Sequence, residues 1–233
     1  MLLNTPHNPT GKVFGRAELE EIAALAIEHD LIVVTDEVYE HLTFDGNEHI
    51  PIATLPGMFE RTLTISSGGK TFRTTGWKIG WMSGPDALVA AARTAKQFLT
   101  FVNGAPFQPA IAAGLRLGDD YFAELAGSLQ TARDHLVDGL RGAGFTTYVP
   151  EATYFGTVDV RAVAAASGAP DTGLDFCRDL PHRCGVVAVP DEVFYARPEH
   201  GRHLVRFACC KQLDVIDAAA ERLRGAFAAE VPA

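Results

Sequence analysis

Residues 62–78 read TLTISSGGKTFRTTGWK, and this stretch decides the fold class. Its first part, 62–66, is a short run rich in β-branched residues, which is typical of a buried strand in a parallel sheet. The loop that follows is rich in hydroxyl groups and carries Lys70 directly after two glycines. Open α/β sheets bind their ligands beyond the carboxyl ends of the strands, so we expect chemistry in this loop.

Strands and helices alternate on both sides of this stretch. Residues 16–29 place apolar side chains at helical spacing, and residues 31–35 form another β-branched run. Residues 162–173 are rich in small side chains and are predicted to form a surface connection. The remaining predicted helices cover 86–100, 106–117, 119–142, 172–180 and 214–229, and the remaining predicted strands cover 79–84, 145–149, 154–160, 186–189 and 204–208. This alternation favours an α/β fold with a mainly parallel sheet.

The regular alternation of strands and helices stops after the helix predicted over 119–142, where two predicted strands follow each other directly. We place a boundary near Gly118, just before that helix. The sequence therefore predicts two domains, residues 1–117 and residues 118–233.

Composition narrows the class of function. The 20 Lys and Arg residues against 29 Asp and Glu residues give a net charge of −9 at pH 7, which fits an enzyme of small metabolites. That charge excludes a nucleic-acid binder held by a basic surface. No apolar run approaches the roughly 18 residues of a membrane span, so neither nucleic acid nor membrane is an expected partner.

The cysteines and histidines point to no metal site. The four cysteines form no CxxC pair, which predicts reduced thiols and a cytoplasmic location. The eight histidines are scattered without metal-ligand spacing, so no metal is predicted.

Two uses of Lys70 compete. The tripeptide Gly-Lys-Thr at 69–71 matches the end of a phosphate-binding P-loop, but that motif requires glycine six residues before the lysine, where this chain has Thr64. A lysine in such a loop can instead form a Schiff base with an aldehyde cofactor. The missing glycine favours the covalent use.

Pyridoxal phosphate requires a carboxylate at its pyridinium nitrogen, donors at its phenolic oxygen and ligands for its phosphate. Asp36 follows a predicted strand and could supply the carboxylate. Tyr39 and Asn8 could donate to the phenolic oxygen, and Ser67 and Lys78 could hold the phosphate. A binding site for this cofactor is therefore one interpretation of the pattern.

Structural roles are the alternative for the same residues. Asp36 could cap a following helix, and Tyr39 could pack in the core. Asn8 and Ser67 could stabilise turns, and Lys78 could be a solvated surface residue. Arg206, within an apolar strand, is harder to explain as structure, because a buried unpaired charge is costly.

Four segments in this order and spacing resemble the class I/II aminotransferases, which are fold-type I transferases that depend on pyridoxal phosphate. They are NTPHNPTG at 4–11, DEVYEHLTFDG at 36–46, SSGGKTFRTTGWKIGW at 66–81 and RFACCK at 206–211. Together with FVNGAPFQPA at 101–110, they are most similar to the subgroup of kynurenine, glutamine, methionine and N-succinyldiaminopimelate aminotransferases. The resemblance implies the fold of aspartate aminotransferase. This chain would supply part of the mainly parallel sheet of the large domain and a small C-terminal α/β domain.

The resemblance also implies a role for each candidate residue. Lys70 would be the Schiff-base lysine, which also moves the proton between the substrate Cα and C4′ of the cofactor. Arg206 would bind the substrate α-carboxylate in a bidentate fork. The other cofactor contacts would be Asp36 at the pyridinium nitrogen, Asn8 and Tyr39 at the phenolic oxygen, and Ser67 and Lys78 at the phosphate.

The implied activity is transfer of an amino group between an amino acid and a 2-oxo acid, in amino acid metabolism. Relatives carry a long segment before the NPTG motif, so we expect this chain to be a C-terminal fragment, and a homodimer when full-length. Two alternatives remain open. One is a pyridoxal-phosphate-dependent C–S lyase, which uses the same cofactor residues, and the other is a truncated, non-catalytic remnant.

Overall fold

Two sheets organise the part of the chain that the computed structural model describes, residues 1–227. One sheet lies in a first unit, built from Met1–His7 and Lys12–Ala126. The other lies in a second unit, built from Asn8–Gly11 and the chain from Gly127 onward. The boundary expected near residue 118 stays a prediction, and residues 228–233 of the second expected domain lie outside the described residues.

The sheet of the first unit is mostly parallel. Its order is β1-β2-β3-β4, with β1, β2 and β3 parallel and β4 antiparallel to β3. The strands are β1 (Leu2–Asn4), β2 (Val33–Asp36), β3 (Thr62–Ser67) and β4 (Gly80–Ser83). The predicted mainly parallel sheet and the α/β class are therefore confirmed.

The helices of the first unit follow the strands. Helix α1 begins where the Glu18 carboxylate accepts a hydrogen bond of 2.9 Å from the backbone N–H of Gly15. Its apolar face joins a core with Leu3, Val33 and Met58. The helices are α1 (Arg16–Glu28), α2 (Gly68–Thr71), α3 (Asp86–Leu99) and α4 (Gln108–Gly114).

Two expectations for this unit need correction. The loop predicted around Lys70 contains the one-turn helix α2. The helix predicted over 106–117 is a 3₁₀ turn, Ala105–Phe107, followed by α4, which ends at Gly114. A single turn of helix is too short to produce an amphipathic period, so the sequence carried no signal for α2.

Helix α5 (Asp119–Gly142) matches its predicted bounds. Asp119 and Asp120 lie in its first turn and Arg141 in its last. The negative charges thus meet the positive end of the helix dipole, and the positive charge meets its negative end, which stabilises the helix.

The sheet of the second unit is antiparallel and has the order β5-β6-β8-β7. Its strands are β5 (Thr146–Tyr148), β6 (Phe155–Asp159), β7 (Val189–Pro190) and β8 (Leu204–Ala208). The strand predicted over 186–189 corresponds to β7, which begins three residues later, at Val189. The helices are α6 (Arg161–Ser167), α7 (Gly173–Cys184) and α8 (Leu213–Phe227).

The surface connection predicted over 162–173 is wrong where it overlaps α6. Val163 and Ala164 of this helix are buried, and the Asp159 carboxylate accepts a hydrogen bond of 2.9 Å from the backbone N–H of Arg161. The run of small residues therefore packs closely as a helix. The helix predicted over 214–229 corresponds to α8, and residues 228–229 lie outside the described residues.

No helix among residues 1–227 combines the length and the apolar character that crossing a membrane requires.

Phe145 lies at the centre of the core of the second unit. Its ring contacts those of Phe176, Phe207 and Phe227, with centroids 6.0, 6.1 and 5.5 Å away. Phe145 is 4% exposed. Through these ring contacts it connects helices α7 and α8 to strand β8.

We predict that Phe145→Ala lowers the free energy of unfolding by about 3–5 kcal/mol, because it leaves a cavity among aromatic rings. Urea denaturation followed by circular dichroism measures this loss. The matched control is Tyr148→Ala, since 51% of Tyr148 is exposed and its removal should change stability little. Equal losses in the two variants would contradict the central role of Phe145.

Candidate functional site

The carboxyl ends of the parallel strands bring several candidate residues of the first unit to one edge of the sheet. Asp36 and Ser67 are the last residues of β2 and β3, and Lys70 follows one turn later. Asn4, the last residue of β1, pairs in register with Asp36, and its side-chain amide donates to the Asp36 carbonyl at 3.0 Å. The structure therefore brings Asp36, Ser67 and Lys70 to the edge predicted from the strand pattern.

Asp36 does not cap a helix. Turn residues follow β2, and the Asp36 Oδ1 accepts a hydrogen bond of 3.2 Å from the backbone N–H of Val38. The carboxylate is half-buried. The helix-capping alternative for Asp36 is therefore wrong.

Tyr39 and Lys70 lie together. Tyr39 is 2% exposed, and the Lys70 Nζ lies 5.8 Å from the centroid of its ring. This distance is within the range of a cation–π contact. The ring therefore forms one wall beside the amine.

The glycines before Lys70 permit close packing of α2. A Cβ on Gly68 would lie 2.6 Å from Cδ1 of Ile111, so a larger residue would push the turn away from its neighbour. Thr74 and Thr75 donate to the carbonyls of Gly68 and Gly69 at 3.2 and 3.1 Å. These hydroxyl groups hold the turn that carries Lys70.

Ser67 and Lys78, the predicted phosphate ligands, have local roles. The Ser67 Oγ accepts a hydrogen bond of 3.2 Å from the N–H of Gly69 and so caps α2. Lys78 has a left-handed backbone with a φ of 57°, and its side chain is exposed. The carbonyl of Lys78 accepts a hydrogen bond from the Asn103 amide.

Two carboxylates that the sequence analysis did not select flank Tyr39: Glu37, which is buried, and Glu40, which is partly exposed. Glu37 is 0% exposed, and its two carboxylate oxygens contact His49 Nε2 at 2.7 Å and Thr35 Oγ1 at 3.1 Å. Glu40 accepts a hydrogen bond of 2.6 Å from the Ser66 hydroxyl. The acidic residues of DEVYE in an otherwise apolar stretch were the available signal, because buried charges require partners.

In the second unit, Asn8 and Arg206 contact each other directly. The Arg206 Nη1 donates to the Asn8 Oδ1 at 2.6 Å. The segment Asn8–Gly11 is held in place by a hydrogen bond of 3.0 Å from the N–H of Glu151 to the Gly11 carbonyl. Gly11 has a φ of +72°, and a Cβ there would lie 2.3 Å from Cβ of Pro150, so this position requires glycine.

Aromatic rings and a carboxyl group surround Arg206. Its Cζ lies 3.9 Å from the ring centroid of Phe155 and 4.5 Å from that of Phe194. Asp191 is 1% exposed, and its Oδ2 accepts a hydrogen bond of 3.1 Å from Thr157 Oγ1. The Asp191 Oδ1 has no hydrogen-bond partner among the described residues.

Burial raises the pKa of Asp191 above its ordinary value. The hydrogen bond from Thr157 and the positive charge of Arg206 oppose this rise without cancelling it. Asp191 was missed because one acidic residue after a short strand looks like an ordinary surface residue.

The thiols are poor candidates for catalysis. Burial raises the pKa of Cys177 and of Cys209 to about 12, so both stay protonated near neutral pH and are weak nucleophiles. Within the part of the chain that the structure describes, no group of His, Cys, Asp and Glu could hold a metal ion.

The family model described as "Aminotransferase class I and II" matches residues 1–223. Human kynurenine–oxoglutarate transaminase 1 is 40% identical over 239 residues, a match that covers 96% of this chain and 57% of that protein. The structure of N-succinyldiaminopimelate aminotransferase from Mycobacterium tuberculosis is 47% identical with a TM-score of 0.90, again covering 96% of this chain and 57% of the other. The chain thus spans about 57% of the length of these relatives.

We predict that Asp191→Asn stabilises the protein near neutral pH. A raised pKa means that the folded state holds the proton more tightly than the unfolded chain, so ionisation of Asp191 opposes folding as the pH rises. Asparagine stays neutral and keeps an acceptor for Thr157. The stability difference between variant and wild type should therefore shrink as the pH falls through the raised folded-state pKa toward the unfolded pKa of about 3.9, and stay constant at lower pH.

Urea denaturation across this pH range measures the effect. Asp171→Asn is the matched control, because Asp171 is exposed. A wild-type protein more stable than Asp191→Asn at neutral pH would contradict the prediction.

Proposed function

Since the chain belongs to the class I and II aminotransferases, we propose that it takes part in transferring an amino group between an amino acid and a 2-oxo acid, with pyridoxal phosphate as cofactor. The family depends on this cofactor. The observation that carries the proposal is the position of Lys70, one turn beyond the carboxyl end of β3 and beside the ring of Tyr39.

The donor set of the first unit fits pyridoxal phosphate. It combines a primary amine at Lys70, a carboxylate at Asp36 and a phenol at Tyr39, which match the aldehyde, the ring nitrogen and the phenolic oxygen of the cofactor. Ser67 and Lys78 are the proposed phosphate ligands. In this role the Ser67 hydroxyl would donate a hydrogen bond to the phosphate while its oxygen still accepts one from the N–H of Gly69 at the start of α2.

When bound, pyridoxal phosphate supplies an electron-poor ring that withdraws electrons from the substrate Cα. Lys70 would hold the cofactor through Nζ and then, as a free amine, would take the proton from the substrate Cα and deliver it to C4′ of the cofactor. Asp36 would keep a proton on the ring nitrogen by its negative charge. Asn8, like Tyr39, is proposed to donate to the phenolic oxygen.

Arg206 is proposed to bind the α-carboxylate of the substrate. Its guanidinium can present two parallel N–H donors, which match the two oxygens of a carboxylate. The contact with Asn8 Oδ1 at 2.6 Å supports this role, because it restricts the orientation of the guanidinium. The same residue would bind either the amino acid or the 2-oxo acid.

We further propose a cytoplasmic protein that forms a homodimer when full-length. The free thiols at Cys177, Cys184, Cys209 and Cys210 support a reducing compartment. Family membership supports the dimer, and analytical sedimentation of the protein would test it.

We predict that Lys70→Ala abolishes covalent attachment of pyridoxal phosphate, because it removes the attacking amine. The protein is incubated with the cofactor and reduced with borohydride, and its peptides are mapped by mass spectrometry. Wild type should carry the pyridoxyl mass on the peptide that contains Lys70. The control, Lys211→Ala, should keep this label, and an unlabelled Lys70 in wild type would overturn the assignment.

We predict that Arg206→Lys weakens binding of pyruvate about 10- to 100-fold, because a charge-assisted bidentate contact becomes a single one. Nuclear magnetic resonance titration measures the dissociation constant. Arg202→Lys is the control, since Arg202 is exposed in the same unit.

A separate experiment tests the class of reaction. The protein is incubated with cystathionine in the absence of any 2-oxo acid. Release of pyruvate and ammonia, with no transamination, would refute an aminotransferase.

A further inference from the structure

Two aromatic rings approach the guanidinium of Arg206, one from the neighbouring strand β6 and one from the turn that follows β7. In the sheet order β6-β8-β7, Arg206 lies on the middle strand of these three. Phe155 belongs to β6, and Phe194 ends the 3₁₀ turn Asp191–Phe194 that follows β7. The two rings therefore reach the Arg206 Cζ from opposite sides of β8.

The turn Asp191–Phe194 is anchored at its first residue. Thr157 is the cross-strand partner of Arg206, and its hydroxyl donates to Asp191 at 3.1 Å. Partner residues of an antiparallel pair project their side chains to the same face of the sheet. Asp191 is thus tied to the neighbour of Arg206, while Phe194 at the other end of the turn contacts Arg206 itself.

Close packing also holds the turn in place. A Cβ on Gly201 would lie 3.0 Å from Cα of Glu192 and 2.5 Å from the ring of Tyr195. Gly201 therefore lets the chain before β8 lie directly against the turn. The hydrogen bond at Asp191 and the close packing at Gly201 together fix the turn, so the turn can hold the Phe194 ring in one position.

Burial alone does not explain the position of Phe194. The residue is 44% exposed, so the hydrophobic effect contributes less here than for a core phenylalanine. Its ring instead contacts a cation at 4.5 Å. An arginine side chain has many rotamers, and a bidentate contact with a carboxylate requires one defined plane.

We propose that Phe194 is a positioning residue for Arg206, and that the Asp191–Thr157 hydrogen bond fixes the turn that presents its ring. The ring restricts the guanidinium to a plane in which it can receive a carboxylate. The statement about the carboxylate rests on the proposed function, whereas the orientation of the guanidinium does not.

The first arm of the test observes Arg206 directly. In ¹⁵N-labelled protein, the Nε–Hε resonance of Arg206 is assigned by its loss in Arg206→Lys. Nearby rings displace this proton resonance through their ring currents. Phe194→Leu should move it toward the value of a solvated arginine, and Phe194→Tyr should restore it.

Two further variants test the anchor and the specificity of the effect. Thr157→Val removes the hydroxyl that holds Asp191 and should move the resonance in the same direction as Phe194→Leu. Val193→Ala is the matched control, because Val193 lies in the same turn and is 63% exposed, and it should leave the resonance in place. An unchanged resonance in Phe194→Leu would overturn the proposal.

The second arm measures pyruvate binding. Phe194→Leu should raise the dissociation constant about three- to tenfold, with recovery in Phe194→Tyr. A displaced resonance with unchanged affinity would overturn the positioning role, because the orientation would then not matter for the carboxylate. Absence of pyruvate binding in wild type, with the resonances behaving as expected, would instead refute the proposed function of Arg206.

Discussion

The parallel register of β1, β2 and β3 is the constraint on which the candidate site of the first unit depends. Asn4 pairs with Asp36, and Asp36 pairs with Ile65, so the three strands end at the same edge of the sheet. A shift of one residue would turn every side chain of a strand to the opposite face. The side-chain amide of Asn4 adds a hydrogen bond to the Asp36 carbonyl at this edge.

Buried carboxyl groups are accommodated in two different ways. Glu37 is satisfied on both oxygens by His49 and Thr35 and anchors the segment between Asp36 and Tyr39. Asp191 accepts a hydrogen bond from Thr157 on one oxygen, its other oxygen has no hydrogen-bond partner within residues 1–227, and burial raises its pKa. The fully paired group stabilises the chain near the amine, whereas the half-paired group lies near a cation whose charge partly compensates it.

Much of the fold followed from local patterns. The bounds of α5 and β8 were predicted correctly, because a long amphipathic helix and a bounded apolar run each produce a clear period. Helix α2 was missed because one turn is too short for a period, and α6 because its small residues resemble a surface connection. In each missed case, packing against a neighbour decided the conformation.

For the candidate site, the sequence by itself determined which chemical groups the chain offers and in what order. Lys70, Asp36 and Arg206 could be selected because their types and spacing match a known chemistry. Only the tertiary structure decided which groups meet: Asn8 contacts Arg206 across 198 positions, and Thr157 holds Asp191 across 34. Such contacts depend on strand register and on the packing of turns, which no local period in a sequence encodes.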